Sequence, residues 1–169
     1  MADAGSVLTG VGVAAVSWVA LNFFGKPILA LRDKRREALE AAERYAYVGL
    51  HGTPSEEYES RAFAALHDVG NSLRVYARES SLATKIYCRV LRYDLDYAAR
   101  AVLGLGLAAR GEYRIDERAR RVTLHALFVA LGATHHLSAG EIAAARTEMK
   151  QWHDGNRDMT TSSSAAGNV

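Results

Sequence analysis

The chain has 169 residues, of which 49% are hydrophobic, 24% charged and 8% aromatic. That balance excludes a disordered chain, a collagen-like fibre and a multi-span membrane protein, and predicts one folded domain. Lysine and arginine total 21 against 19 acidic residues, a net charge of +2, so no dominating basic field marks the chain as a dedicated nucleic-acid binder.

Only Pro27 and Pro54 interrupt the backbone donors, which leaves long helices open almost everywhere. A single cysteine, Cys88, builds neither an internal disulfide nor a thiolate metal cage.

Between Asp3 and Lys26 there is no charged side chain over 22 residues, about 33 Å of helix against a hydrocarbon core of roughly 30 Å. Val7, Leu8, Val11, Val13, Val16, Val19, Leu21, Phe23 and Phe24 supply most of the insertion energy, about −3 to −5 kcal/mol in total. Ser6, Thr9, Ser17, Asn22 and several glycines offset part of it. Residues 1–25 therefore read as a transmembrane anchor. Two other readings fit less well: a cleaved signal peptide, because the early charge is the acid Asp3 rather than a basic cluster, and the buried core helix of a soluble protein, because that would carry a polar stripe and needs fewer uncharged residues. Ser6, Gly10 and Ala14 recur every fourth residue and Ser17 follows three later, lining one face with small side chains. Such a face lets two helices approach closely in lipid. It leaves a homo-oligomer and a monomeric anchor both open.

Past the anchor, Lys26, Arg32, Lys34, Arg35 and Arg36 face a single acid, Asp33, a net +4 beside the span. Charge asymmetry of this kind places the following body in the cytoplasm and the N-terminus outside. The same five cations form a candidate membrane-surface site for anionic head groups, at about 1 kcal/mol per charge, with a pure topology signal as the plainer reading. Gly25 and Pro27 predict a hinge, because proline lacks a donor and pushes Lys26 from helical dihedrals while suiting the first position of a new helix.

Residues 26–48 form that basic-to-acidic juxtamembrane helix, laced by Arg36, Glu40 and Arg44 at i, i+4 spacing. After the turn Gly49-Leu50-His51-Gly52, the run Thr53-Pro54-Ser55-Glu56 reads as a capping box opening a helix to about Glu79. Ala62, Leu66, Val69, Leu73 and Tyr76 mark its buried face. Ser80 or Ser81 caps a short helix carrying Leu82, Ile86, Val90 and Leu91. Asp94 caps the next, where Gly104 and Gly106 imply close packing against a neighbour, and Gly111 ends it. A sixth helix begins near Asp116. Ser138-Ala139-Gly140-Glu141 is a second capping box, opening a helix that ends near Trp152. Residues 49–153 thus make the bundle. The tail, 154–169, is rich in serine, threonine, glycine and asparagine and is expected to be disordered. The fold class is all-α, with an N-terminal transmembrane helix and a cytoplasmic bundle of about five to six helices.

The stretches Asn22-Phe23-Phe24-Gly25-Lys26-Pro27-Ile28, Leu31-Arg32 and Arg92-Tyr93-Asp94-Leu95-Asp96-Tyr97-Ala98 follow the anchor in an order that resembles small uncharacterised single-span inner-membrane proteins of proteobacteria. The likeness covers residues 18–110. It implies a bacterial inner membrane and carries over no catalytic residue.

No P-loop, dinucleotide fingerprint, nucleophile elbow or zincin motif occurs, and no cofactor and no metal are expected. His135 and His136 with Glu141, joined by His125 or His153, make a site-like cluster, but adjacent histidines diverge by about 100° on a helix. Lys85, Arg89 and Arg92 beside Cys88 are placed to lower a thiol pKa, yet no positioned base is identifiable. Those cations with Tyr87 and Tyr93 also suggest phosphate contact and base stacking, against which the interleaved acids argue. The expected function is a non-enzymatic, membrane-anchored interaction or assembly protein. Its expected partners are the lipid bilayer, a cytoplasmic protein and, through the small-residue face, a second copy, but not nucleic acid. The alternatives are a membrane-active, holin-like oligomer and an enzyme of unrecognised type.

Overall fold

The computed structural model describes residues 13–49, 55–111 and 116–166. Among them the architecture is all-α, without strands. α1 runs Val13–Tyr45, followed by α2 (Glu56–Glu79), α3 (Leu82–Leu91), α4 (Leu95–Ala109), α5 (Glu117–Ala130) and α6 (Ala139–Ala166).

Short polar side chains set the helix starts. Asp94 accepts from the Tyr97 N–H at 3.0 Å and Asp116 from Ala119 at 2.6 Å, each satisfying a donor that the first turn leaves open. Ser81, not Ser80, caps α3. Ser55 caps α2 by accepting from Tyr58, so the helix opens later than the Thr53-Pro54 reading placed it; those two residues lie outside the described ones. The Ser138 box is complete: Glu141 accepts from the Ser138 N–H at 2.8 Å and hydroxyl at 2.7 Å, while Ser138 Oγ accepts from the Glu141 N–H at 3.3 Å.

Two expectations are corrected. The chain does not hinge at Gly25 and Pro27. Lys26 keeps helical dihedrals (φ −59°, ψ −45°), and a π-helical turn over Ala20–Gly25 carries the chain through, with the Lys26 N–H bonded to the Leu21 carbonyl. The wider turn accommodates the donor that proline lacks, so one helix connects apolar segment and bundle. The second correction concerns the tail: α6 continues to Ala166 rather than ending near Trp152. No proline occurs after Pro54 to stop it.

α4 is the central post of the bundle. Its faces are buried almost all round, with Tyr97, Ala98, Val102 and Leu105 sealed from solvent. α2 packs against it along the longest interface, and α1 and α5 also contact it. Two glycines make the α2–α4 approach close. A Cβ at Gly70 would lie 2.7 Å from Leu103 Cγ, and one at Gly106 would lie 3.3 Å from Leu66 Cβ. Gly104, also read as a packing glycine, faces open space. The expected face of α2 holds: Ala62, Leu66 and Leu73 are fully buried, and Val69 and Tyr76 pack against the core. α6 closes the bundle over α5, and Trp152 meets Tyr97 edge-on at 5.6 Å.

Candidate functional site

The site begins where α1 changes character. Val13, Val16, Trp18, Val19 and Leu21 are exposed, whereas Leu31, Ala38 and Ala42 of the same helix are fully buried in the bundle core. The first part is long and apolar enough to cross a membrane by length and composition, with mean hydropathy 1.5 in its most apolar window. Within it Asn22 ties its amide to the Trp18 carbonyl at 2.8 Å and its carbonyl to Lys26 Nζ at 2.7 Å. Both polar groups are thereby satisfied inside the helix, which a low-dielectric surrounding requires. Of the small-residue face, Ala14 and Ser17 are exposed, and Ser6 and Gly10 lie outside the described residues.

The bundle is fastened to this boundary. The Tyr76 hydroxyl donates to the Pro27 carbonyl at 2.6 Å. α3 packs against both the Ala20–Gly25 turn and the helix after it.

The five basic residues are not equivalent. Lys26 and Arg32 are exposed, and Arg36 is exposed with a loose ion pair to Glu40 at 3.7 Å. Lys34 is paired with Glu37 at 2.9 Å. Arg35 turns inward: its Nε donates to the Leu131 carbonyl at 2.5 Å, its Nη2 to the Gly132 carbonyl at 3.3 Å, and its guanidinium sits 5.6 Å from the Tyr93 ring centre. It therefore caps the end of α5, where carbonyls lack intrahelical donors, and is lost to the surface site. Of the five cations expected to face the membrane surface, Lys26, Arg32 and Arg36 are the exposed ones.

Arg120, on the basic start of α5, is a buried structural arginine. It is only 4% exposed, and it donates to the Val48 carbonyl at 2.6 Å and the Ala108 carbonyl at 2.8 Å, with a longer contact to Ala46. One side chain of α5 thus holds the C-terminal ends of α1 and α4. Burial pulls its pKa below the ordinary arginine value. The sequence signals that burial: Arg120, Leu124, Leu127 and Leu131 recur at helical spacing on one buried face.

The clusters that suggested chemistry come apart. His153 Nε2 lies 2.6 Å from Asp94 Oδ2, on the carboxylate that caps α4. His125 lies 3.7 Å from Glu141, and His136 stacks edge-on against Phe128 at 4.7 Å. No group of metal-binding side chains forms among the described residues. Burial pushes the Cys88 thiol pKa up, against the lowering expected from Lys85, Arg89 and Arg92. Tyr93 is held between Arg35 and Gly132 and meets Tyr87 edge-on at 6.4 Å, so its ring does not stand free as a stacking platform. Comparison with family models, curated proteins and solved structures finds no match to this chain.

Proposed function

We propose that this chain is a single-span membrane protein whose helical bundle is a non-enzymatic interaction or assembly module held at the membrane face. One observation carries the reading: α1 is a continuous helix whose apolar first part is left unburied, meeting the bundle only where α3 touches the Ala20–Gly25 turn, while its second part is core. A helix exposing Val13, Val16, Trp18 and Leu21 to water would forfeit their burial, each at a cost of about 1.5–3 kcal/mol for a large apolar side chain; in a bilayer it forfeits nothing. Because α1 runs on without a break, the bundle is carried at a fixed angle rather than on a flexible tether.

Lys26, Arg32 and Arg36 support a cytoplasmic bundle and an external N-terminus; the resemblance to proteobacterial single-span proteins supports a bacterial inner membrane. Interaction is favoured over catalysis because the polar groups with catalytic potential serve as caps: Asp94, Glu141 and Ser138 each hold a helix end. A partner is read as a cytoplasmic protein on the bundle, with a second copy as the partner of the Ala14 and Ser17 face in lipid. The test is a C-terminal fusion in bacterial cells to a reporter active only in the cytoplasm. The reading predicts activity with the membrane potential intact. Activity of an export-dependent reporter at that end would reverse the orientation, and collapse of the potential would favour a pore.

A further inference from the structure

α3 is amphipathic in the wrong direction for a bundle helix. Leu82, Ile86 and Val90 recur every fourth residue on one stripe, and that stripe faces outward at 74%, 54% and 72% exposure. The side turned into the protein carries Thr84 and Cys88. Among the described residues, Leu82 and Val90 are as exposed as Val16 of the apolar segment, at 70%. An apolar stripe left in water on a ten-residue helix gives nothing to folding, so what covers it is a question of function.

Three observations name the occupant. α3 packs against the turn Ala20–Gly25 and the helix that follows, where the apolar segment ends. The helix that carries the exposed stripe therefore lies beside the base of the apolar segment of α1. Lys85 and Arg89 border the stripe along one edge, both are exposed, and α3 itself contains no acid. That is the pattern of a helix lying in a membrane interface, with apolar side chains below and cations at head-group level. Finally, the Tyr76–Pro27 hydrogen bond fixes the end of α2 that leads into α3, so the helix is positioned by the fold.

We infer that α3 is an interfacial helix that seats Leu82, Ile86 and Val90 in the leaflet from which α1 emerges, with Lys85 and Arg89 on anionic head groups. This rests on the reading of α1 as a membrane span, and adds to it a second, in-plane contact with the same bilayer. The two contacts together set the tilt of the bundle on the membrane. They make Lys85 and Arg89, not Lys34 or Arg35, the companions of Lys26 and Arg32 in the lipid-facing site.

The full chain, with Cys88→Ser as background, is reconstituted into vesicles of neutral and anionic phospholipid and labelled with an environment-sensitive fluorophore at one introduced cysteine. Ile86→Cys reports α3, Val16→Cys reports the span, and Ala144→Cys, exposed on α6, reports solvent. Lipids carrying a quencher in the upper acyl chain should extinguish the probe at position 86, with a blue-shifted emission. A quencher placed deep in the bilayer should act at position 16, and neither should act at 144. Lys85→Gln with Arg89→Gln should reduce quenching at 86 in anionic vesicles and leave position 16 unchanged. A probe at 86 that behaves like the one at 144 overturns the inference while position 16 preserves the span. A probe at 86 that is blue-shifted but unquenched by lipid means a protein surface covers the stripe, which also overturns it. Loss of quenching at 16 overturns the span itself.

Discussion

The Tyr76 hydroxyl and the Pro27 carbonyl, 49 positions apart in the chain, are joined by a 2.6 Å hydrogen bond at the boundary between the apolar and the buried parts of α1. The bond does two things. It satisfies a half-buried phenol that otherwise costs a lost hydrogen bond, and it brings the end of α2, and α3 after it, to the base of the apolar segment. Arg35, two turns further along α1, makes the matching attachment to the end of α5. The bundle is thus clamped to the helix that carries it.

Arg120 is a third attachment, and its removal should be costly. Arg120→Met keeps the aliphatic volume but leaves the Val48 and Ala108 carbonyls without their donor in a buried site. Thermal or denaturant unfolding of the full chain in detergent micelles should show a loss of about 2–4 kcal/mol. A loss within the scatter of surface substitutions, about 0.5 kcal/mol, would show that the carbonyls find other partners.

Two glycines of the α2–α4 pair should respond with opposite sign. Gly70→Ala forces a Cβ against Leu103, including its backbone nitrogen at 3.2 Å, and should destabilise by about 1–3 kcal/mol. Gly104→Ala meets nothing within 4 Å and should stabilise by up to about 1 kcal/mol through helix propensity alone. Unfolding midpoints of the two variants in the same detergent decide the matter; equal shifts would contradict the packing described.

Acid should weaken the start of α6. Hydrogen bonds from the Ser138 hydroxyl and N–H hold the Glu141 carboxyl below its usual pKa, with His125 and Arg121 adding to the effect. A carboxyl with a depressed folded pKa stabilises above its unfolded pKa of roughly 4.3 and loses that contribution as pH falls through the folded value. Wild type should therefore exceed Glu141→Gln in melting temperature at neutral pH, with the gap closing below about pH 4.5. A gap independent of pH would show that the charge is not what holds the cap.

Much of this fold was legible because local chemistry writes it. Asp94, Asp116 and Ser138 announce helix starts through a side chain acting within three residues, and Ala62, Leu66 and Leu73 announce a buried face through spacing alone. What escaped depends on distant partners. Pro27 signalled a break, but a π-helical turn absorbs it. Arg35 looked like a surface cation until the end of α5, nearly a hundred positions away, was folded against it. Leu82, Ile86 and Val90 have the periodicity of a core face; only the finished bundle shows that Thr84 and Cys88 take the inner side instead. Periodicity reveals that a helix has two faces, and tertiary structure decides which is turned inward.

The central claim is that the apolar first part of α1 spans a bilayer, and alkaline carbonate extraction of isolated membranes tests it most directly. The treatment strips proteins held at the surface and leaves integral ones in the pellet. The account predicts that the full chain stays in the pellet, whereas a chain beginning at Arg32, which retains α3 and loses the apolar segment, is released. Recovery of the full chain in the carbonate supernatant would contradict it.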